Sequence, residues 1–229
     1  MRTSGAEAMN LQDFLSSLTK RGGGDRERTP LPDDLESAVR QVDGNVDLIG
    51  VFAASAEAAG ARVRRTSGAD WLTAIAGILG DLDATRICTQ AAEVGFLSRA
   101  RSAELSEHLR DSGMTVSTDT GDDELFSADA SITGVSAAIA ETGTVVCESG
   151  PNAARGASLI PPVHVAVVGA AQIIPDLCDY FEQLPGGPEL PANVNLITGP
   201  SKTADIEGTL VTGVHGPGKL FIVVVATAS

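Results

Sequence analysis

Charged and reactive side chains are concentrated in a twenty-residue stretch near the end of the chain, residues 198–217. Ser201 or Thr203 is suited to cap a short helix there, directly after a glycine-proline turn. Asp205 would then lie in the first helical turns, where a carboxylate suits the positive end of the helix dipole. Backbone N–H groups at such a corner bind anions, and Lys202 adds a positive charge for a phosphate or carboxylate. The stretch therefore predicts an anion site at a strand–loop–helix corner.

The end of the same stretch turns the chain back toward this corner. Gly213 and Gly216 lie on either side of His215, and glycines allow a ligand or another backbone segment to come close. We expect His215 to lie near Asp205, although a histidine between glycines is often only a turn residue. The stretch is not a nucleotide P-loop, because Ser201 stands where the second glycine of that motif is required.

Further candidates precede this stretch. Glu141 begins a tight Glu-Thr-Gly-Thr turn at an expected strand–helix corner, where open α/β sheets place their ligands. A turn-closing role is the alternative for Glu141. Arg155, in a loop rich in Gly, Ser and Pro, is suited to bind a carboxylate or phosphate unless it pairs with Glu148. Ser158 follows three residues later, and His164 is more often a satisfied strand-end histidine than a base.

The composition favours an α/β protein. Of 229 residues, 43% are hydrophobic and only 3% aromatic, so the core must be built from Ala, Val, Leu and Ile. The net charge is −14, and no cluster of Lys and Arg could neutralise a nucleic acid or bind an anionic membrane. No apolar run is long enough to span a bilayer, and none near the N-terminus resembles a secretory signal. We therefore expect a cytoplasmic protein.

The cysteines predict no cofactor in this chain. Cys88, Cys147 and Cys178 are odd in number and widely spaced, without a C-x-x-C pair. A disulfide framework, a zinc site and a self-contained iron–sulfur cluster are therefore not expected. We expect each cysteine to be a small buried hydrophobic residue.

Alternating helix and strand patterns must position these residues. The first segment, residues 1–34, is predicted to be an amphipathic helix followed by a flexible linker, and residues 35–229 a single α/β domain. The patterns predict helices at 35–59, 71–79, 101–109, 135–140 and 173–184, and strands at 61–64, 86–89, 114–117, 130–133, 145–147, 163–168, 194–197 and 220–225. This alternation is typical of crossover units, which build a mostly parallel sheet flanked by helices.

Several motifs occur together in an order that resembles the LUD-domain family. They are Ala140-Glu-Thr-Gly-Thr144, the loop containing Arg155 and Ser158-Leu-Ile-Pro161, His164 at the start of its strand, Gly199-Pro-Ser-Lys-Thr-Ala-Asp-Ile-Glu207, and Gly213-Val-His-Gly-Pro217. The resemblance is dense from Ile132 to Val225. It implies an α/β fold similar to the superfamily of ribose-5-phosphate isomerase, glucosamine-6-phosphate deaminase and the CoA-transferases.

The resemblance also implies a role in the oxidation of L-lactate to pyruvate, beside partner proteins that carry iron–sulfur clusters. Because this chain lacks cluster cysteines, the redox chemistry would belong to those partners. In similar CoA-transferases a glutamate in an E-x-G turn forms the covalent intermediate, and Glu141-Thr-Gly143 matches that turn, but the accompanying glycine-rich CoA loop is not found. Lys202 stands where the family is expected to have arginine, which keeps the charge and loses the bidentate fork.

We therefore predict a component of a lactate utilisation system that binds a small carboxylate or phosphate. Glu141 and His215 are the predicted catalytic residues, and no metal ligand is assigned. The predicted ligand-binding residues are Arg155, Ser158, Ser201, Lys202, Thr203 and Asp205. One alternative is a free-standing isomerase-like or CoA-transferase-like enzyme, with Glu141 as base or nucleophile and His215 as acid. A second alternative is a non-catalytic scaffold subunit, and formation of a homo-oligomer is left open.

Overall fold

The computed structural model describes residues 40–42, 45–90, 93–150, 153–184, 190–203 and 211–226. The predicted N-terminal helix and linker, the boundary between residues 34 and 35, and the candidate ligand Asp205 lie outside these ranges. No helix in the described ranges is long and apolar enough to cross a membrane.

Five α-helices lie in the described part of the chain. They are α1 Leu48–Ala58, α2 Trp71–Gly80, α3 Arg99–Asp111, α4 Asp122–Ser127 and α5 Leu177–Gln183, together with short 3-10 helices at Arg155–Ser158 and Ala170–Gln172. Of the helix expected over residues 35–59, the described part is α1, which begins at Leu48, and residues 35–39 lie outside the described ranges. Its start is fixed by Asp47, whose carboxylate accepts a hydrogen bond from the Gly50 N–H at 3.0 Å, as an N-cap residue does.

Twelve strands are described in the same ranges. They are β1 Arg62–Ser67, β2 Arg86–Thr89, β3 Thr115–Ser117, β4 Ala130–Gly134, β5 Ala137–Ile139, β6 Thr144–Ser149, β7 Val163–Gly169, β8 Ile173–Ile174, β9 Asn193–Ile197, β10 Lys202–Thr203, β11 Val211–Thr212 and β12 Lys219–Ala226. Six of them form a parallel central sheet in the order β1-β12-β7-β4-β2-β3. A second sheet has the order β8-β5-β6-β9, and β10 and β11 form an antiparallel ribbon.

The central sheet is covered on both faces, as all-parallel sheets require. On one face, side chains of α2 and α3 such as Ile75 and Leu105 pack with Val165 and Val223 of the sheet. On the other face, α1 and the second sheet form a separate core. The predicted α/β fold with a mostly parallel, helix-flanked sheet is therefore confirmed.

Three predicted helices are wrong in whole or in part. Residues 137–139 form β5, because their backbone pairs with β6 and β8 in a fully buried position where packing outweighs the helix propensity of alanine. Ile173 and Ile174 form β8, so the helix predicted from residue 173 begins at Leu177. No helix begins at Ser201, since Lys202 and Thr203 pair with Thr212 and Val211 in the ribbon. The alternative start at Thr203 concerns residues 204–210, which lie outside the described ranges.

Candidate functional site

A cavity of about 270 Å³ lies beside the first residues of β7 and β12. His164 and Leu220, which are register partners in these adjacent strands, line it. Three loop segments distant in sequence complete the lining, residues 158–159, 196–202 and 215–217. Ligands of open α/β sheets usually bind at the carboxyl ends of the strands. This cavity lies at the opposite, amino-terminal end of two central strands, so the general rule would have misplaced it.

Backbone hydrogen bonds connect two of these loop segments. The N–H of Ser201 donates to the carbonyl of Pro217 at 2.9 Å, and the N–H of Gly213 donates to the carbonyl of Ser201 at 2.9 Å. The ribbon of β10 and β11 continues this connection. Ser201 and His215 are thereby brought to one cavity although fourteen positions separate them in the chain.

Lys202 supplies a positive charge to the cavity lining. Its Nζ donates a hydrogen bond to the carbonyl of Ala59, at the C-terminal end of α1, at 2.8 Å. An ammonium group has three donors, so two remain for a ligand or water. Gly199 holds this segment close to the same helix end, since its φ is +79° and a Cβ there would lie 2.3 Å from the Ala59 carbonyl oxygen. The lysine is therefore placed by the backbone that follows β9.

The four predicted site residues in the cavity lining are Ser158, Ser201, Lys202 and His215. Ser158 is buried and donates a hydrogen bond to the Arg155 carbonyl at 3.1 Å. His215 is exposed in the turn after β11, so its imidazole is accessible to a ligand at the opening of the cavity. Its expected neighbour Asp205 is outside the described residues, and the pair therefore stays a prediction.

The other predicted site residues lie elsewhere. Glu141 is half-buried in the turn between β5 and β6, and its N–H donates to the Pro175 carbonyl at 3.0 Å. Arg155 is exposed at the start of its 3-10 helix, and Thr203 lies in β10. None of these three is among the cavity-lining residues.

Two structural expectations about these residues are corrected. The expected strand–helix corner at Glu141 is a hairpin turn of the second sheet, because the predicted helix before it is β5. Glu148, the alternative ion-pair partner of Arg155, accepts a hydrogen bond from the Tyr180 hydroxyl at 2.7 Å. Burial and this carboxylate raise the pKa of Tyr180 well above its usual range.

A buried polar group lies beneath the cavity and was not predicted as part of the site. His164 is fully buried, and its Nε2 lies 2.8 Å from the Thr133 hydroxyl oxygen. Desolvation lowers the pKa of His164 to about 4, so the imidazole is neutral near pH 7. Burial also raises the pKa of Cys147 to about 12. The thiol is therefore protonated and a poor nucleophile.

Sequence reasoning gave His164 low weight because a strand-start histidine is usually satisfied locally. Its contact with Thr133 depends on the parallel pairing of β4 with β7, which sets Ser131 opposite His164 and places Thr133 two residues further along the same face. Thr198 was also missed. Its hydroxyl lies 2.7 Å from that of Thr144, which in turn lies 2.6 Å from that of Thr142. This row of hydroxyls connects the Glu-Thr-Gly-Thr turn with the cavity lining.

Side chains that could ligate a metal are not clustered in the described ranges. Within the described ranges, no group of three or more His, Cys, Asp or Glu side chains could hold a metal ion. Cys88 packs with Leu125, Cys147 packs in the core beside α1, and Cys178 is exposed on α5. The expectation that all three cysteines are buried is thus wrong for Cys178. The three cysteines lie in separate parts of the fold.

The fold is that of an α/β protein in which loop segments enclose a small cavity. The family model of the LUD domain matches residues 49–225. The chain belongs to the LUD domain family, and the resemblance deduced from its motifs is confirmed.

Several curated relatives have the name lactate utilization protein C. The chain is 42% identical over 91 residues to the protein of that name from Geobacillus sp. (strain WCH70), a match that covers 38% of each chain. It is 36% identical over 115 residues to the one from Bacillus subtilis (strain 168), covering 47% of this chain and 48% of that protein. These matches span less than half the length of the curated relatives.

A solved structure supports the fold. The crystal structure of a DUF162 family protein from Deinococcus radiodurans is similar to this chain with a TM-score of 0.53 and 26% sequence identity. The similarity covers 78% of this chain and 96% of that one.

Proposed function

We propose that this chain is a component of a lactate utilisation system and supports the oxidation of L-lactate to pyruvate by binding a small carboxylate in the cavity. The proposal is carried by one observation: three segments distant in sequence meet around a single cavity, which Lys202, His215 and His164 line. The names of the curated relatives supply the metabolic context.

The size and polarity of the cavity favour a small acid. The cavity volume of about 270 Å³ is below the range typical of pockets that bind drug-sized ligands. Lys202 provides a charge-assisted donor for a carboxylate, and the hydroxyls of Ser201 and Thr198 provide further polar contacts. The same groups would accept inorganic phosphate, so phosphate is the competing ligand in any binding test.

Electron transfer in this proposal takes place in partner proteins. Oxidation of a 2-hydroxy acid to a 2-oxo acid releases two electrons and two protons, which require an acceptor. We assign that acceptor to iron–sulfur proteins of the same system, since the cysteines of this chain are separated and two of them are buried. The chain's own residues then bind and orient the acid. We propose the cytoplasm as the site of this work.

Calorimetric titration of the purified protein tests the binding step. L-lactate, pyruvate and inorganic phosphate are each titrated into the wild type, into Lys202→Gln and into the control Lys219→Gln. Lys219 is an exposed lysine outside the cavity lining. We expect at least one of the two carboxylates to bind and Lys202→Gln to weaken it by about tenfold, the loss of one charge-assisted hydrogen bond. Absence of carboxylate binding, or equal losses in both variants, would contradict the proposal.

Growth of the source organism tests the metabolic role separately. Deletion of the gene should prevent growth on L-lactate while leaving growth on pyruvate intact. Affinity purification of the tagged protein from lactate-grown cells should recover iron–sulfur proteins. Normal growth of the deletion strain on L-lactate would refute the role in lactate utilisation.

A further inference from the structure

The edge strand β1 has a concentration of positive charge that is unusual for this chain. The sequence has 16 Lys and Arg against 30 Asp and Glu, yet three of the six residues of β1 are arginines, Arg62, Arg64 and Arg65. All three are exposed. None of them forms an ion pair with a carboxylate in the described part of the chain. Their guanidinium groups are therefore accessible to an acidic partner.

The backbone of β1 is accessible on one side as well. Within the described ranges β1 pairs with β12 alone, from Arg62 opposite Phe221 to Ser67 opposite Ala226. An edge strand presents a row of unpaired N–H and C=O groups to which another strand can add. The other edge strand of the central sheet, β3, has only three residues, whereas β1 has six, the usual length of a strand. β1 is therefore the edge of this sheet that is long enough to accept a further strand.

A groove of about 220 Å³ lies beside this strand. Arg62 and Arg64 line it together, since residues i and i+2 of a strand share a face. The apolar part of its lining comes from Ile78, Leu82 and Phe221. The guanidinium of Arg62 lies 5.4 Å from the centre of the Phe221 ring, a cation–π contact that holds this arginine over the sheet. The groove thus offers an apolar surface next to two positive charges.

The third arginine of β1 lies on the opposite face of the strand. Nη2 of Arg65 donates a hydrogen bond to the Ile49 carbonyl in α1 at 3.3 Å, so this side chain is held by a neutral group and its charge is not compensated there. Asp81 lines the groove on the other face, but no ion pair joins its carboxylate to Arg62 or Arg64. A segment that adds to β1 would therefore meet positive charge on both faces.

These charges determine which segment suits the edge. Pairing of β1 with β1 of a second copy of the chain would set arginines against arginines, and like charges on opposite strands are destabilising. Opposite charges in the same positions are stabilising. Where a peptide adds to a sheet edge, main-chain hydrogen bonds provide affinity and pockets for alternate side chains provide specificity. The edge is thus protected against self-pairing and suited to an acidic strand.

We propose that β1 is a docking strand for an extended acidic segment of a partner protein, which adds to the edge of the central sheet by backbone hydrogen bonds. Acidic side chains of this segment pair with Arg62 and Arg64, and an apolar side chain on the same face of the segment occupies the groove. The inference goes beyond the proposed function and does not depend on it, since the described residues that line the groove are all different from those that line the cavity beside β7.

The probe is a fluorescently labelled peptide, Glu-Val-Glu-Val-Leu-Val-Glu-Val-Glu, which has its glutamates and its leucine on one face and the same order in both directions. One control peptide has lysine in place of glutamate, and a second has every backbone nitrogen methylated, which keeps the charges and removes the N–H donors. Fluorescence anisotropy with the full chain should show about tenfold tighter binding of the probe than of either control. Equal binding of the probe and its methylated form, or no binding of the probe, would overturn the proposal.

Substitutions in the edge strand test the arginines. Arg64 has no hydrogen bond or ion pair in the described part of the chain, so Arg64→Glu should not impair folding, which thermal unfolding checks. It should weaken binding of the probe by about tenfold, because an attraction becomes a repulsion, and should improve binding of the lysine peptide. Arg99→Glu makes the same change of charge at an exposed residue of α3 and should leave both affinities unchanged. Equal effects of the two substitutions would refute docking at β1.

Amide hydrogen exchange of the full chain locates the contact. The bound probe should slow the exchange of backbone amides in residues 62–67 and leave β3 unaffected. Protection at another place would overturn the proposal, and so would protection of β1 that rises with the concentration of the protein alone, since a second copy would then occupy the edge. The calorimetric titration with L-lactate reports on the proposed function independently, so failure of either proposal leaves the other standing.

Discussion

Burial keeps the His164 imidazole neutral in the folded protein, and this makes the free energy of unfolding depend on pH. Its pKa is lowered to about 4 in the folded protein, from the usual value near 6.5 in an unfolded chain. The unfolded state therefore binds a proton between these two values and the native state does not. By linkage, the free energy of unfolding decreases as the pH falls from 6.5 toward 4.

This pH dependence is the first prediction at the scale of a residue. Between pH 7 and pH 4 the wild type should lose about 3 kcal/mol of stability through this one group. His164→Gln, which has no titrating ring, should lack that component. Urea unfolding of both proteins at several pH values measures it. Parallel curves for the two proteins would show that the histidine is not held neutral.

Glu141 is the residue on which the proposed function and the enzyme alternative differ. It lies in the hairpin turn outside the cavity lining, so a charge-neutral replacement should leave ligand binding intact. We expect Glu141→Gln to bind L-lactate within about twofold of the wild type, a difference below 0.5 kcal/mol. The alternative of an isomerase-like or CoA-transferase-like enzyme would regain support if Glu141→Gln lost lactate-dependent function while remaining folded and stable.

At the scale of an element, the Glu-Thr-Gly-Thr turn has a packing role that its sequence did not reveal. Gly143 has a φ of +66°, and a Cβ there would lie 2.1 Å from the backbone nitrogen of Ala56 in α1. The turn of the second sheet is therefore seated directly on the helix backbone. A glycine is required for steric reasons, independently of any chemistry at Glu141.

Gly143→Ala should consequently destabilise the protein by about 2 kcal/mol or more, through backbone strain and the overlap with α1. Gly77→Ala is the matched control, because Gly77 is exposed in α2 and nothing lies within 4 Å of its added Cβ. That change should stabilise the protein by about 0.5–1 kcal/mol, as alanine does in a helix. Thermal and urea unfolding measure both variants. Similar effects of the two substitutions would refute the packing role of the turn.

The secondary structure was predictable where local patterns determine it. The strands at 86–89 and 130–133 are short runs of apolar or β-branched residues, and the structure places strands there. The strand at 137–139 was not predictable, because Ala137 and Ala138 have a helical preference that only pairing in the second sheet overrides. The ribbon containing Lys202 depends in the same way on a distant partner strand.

At the scale of the whole molecule, the site was predictable in part. Ser201, Lys202 and His215 were identified because they belong to one stretch of the sequence, and they line one cavity. The position of His164 beneath the cavity depends instead on its contact with the Thr133 hydroxyl, 31 positions away in the chain. Pairing of parallel strands brings these residues together, and a single sequence contains no record of that register.

The architecture explains why the cavity lies between loops rather than at the usual edge of the sheet. The second sheet covers one face of the central sheet together with α1, and β9 delivers residues 198–202 to the beginning of β7 and β12. The close contacts of Gly143 and Gly199 with α1 fix this arrangement. The chain thus lines the cavity with residues from both sheets and the loops between them.

The most direct test of the central claim is a crystal structure of the protein soaked with L-lactate. The account predicts the acid in the cavity beside the start of β7, with its carboxylate within hydrogen-bond distance of Lys202 Nζ. L-lactate bound at the Glu141 turn instead, or a cavity that stays without the acid at saturating concentration, would contradict it.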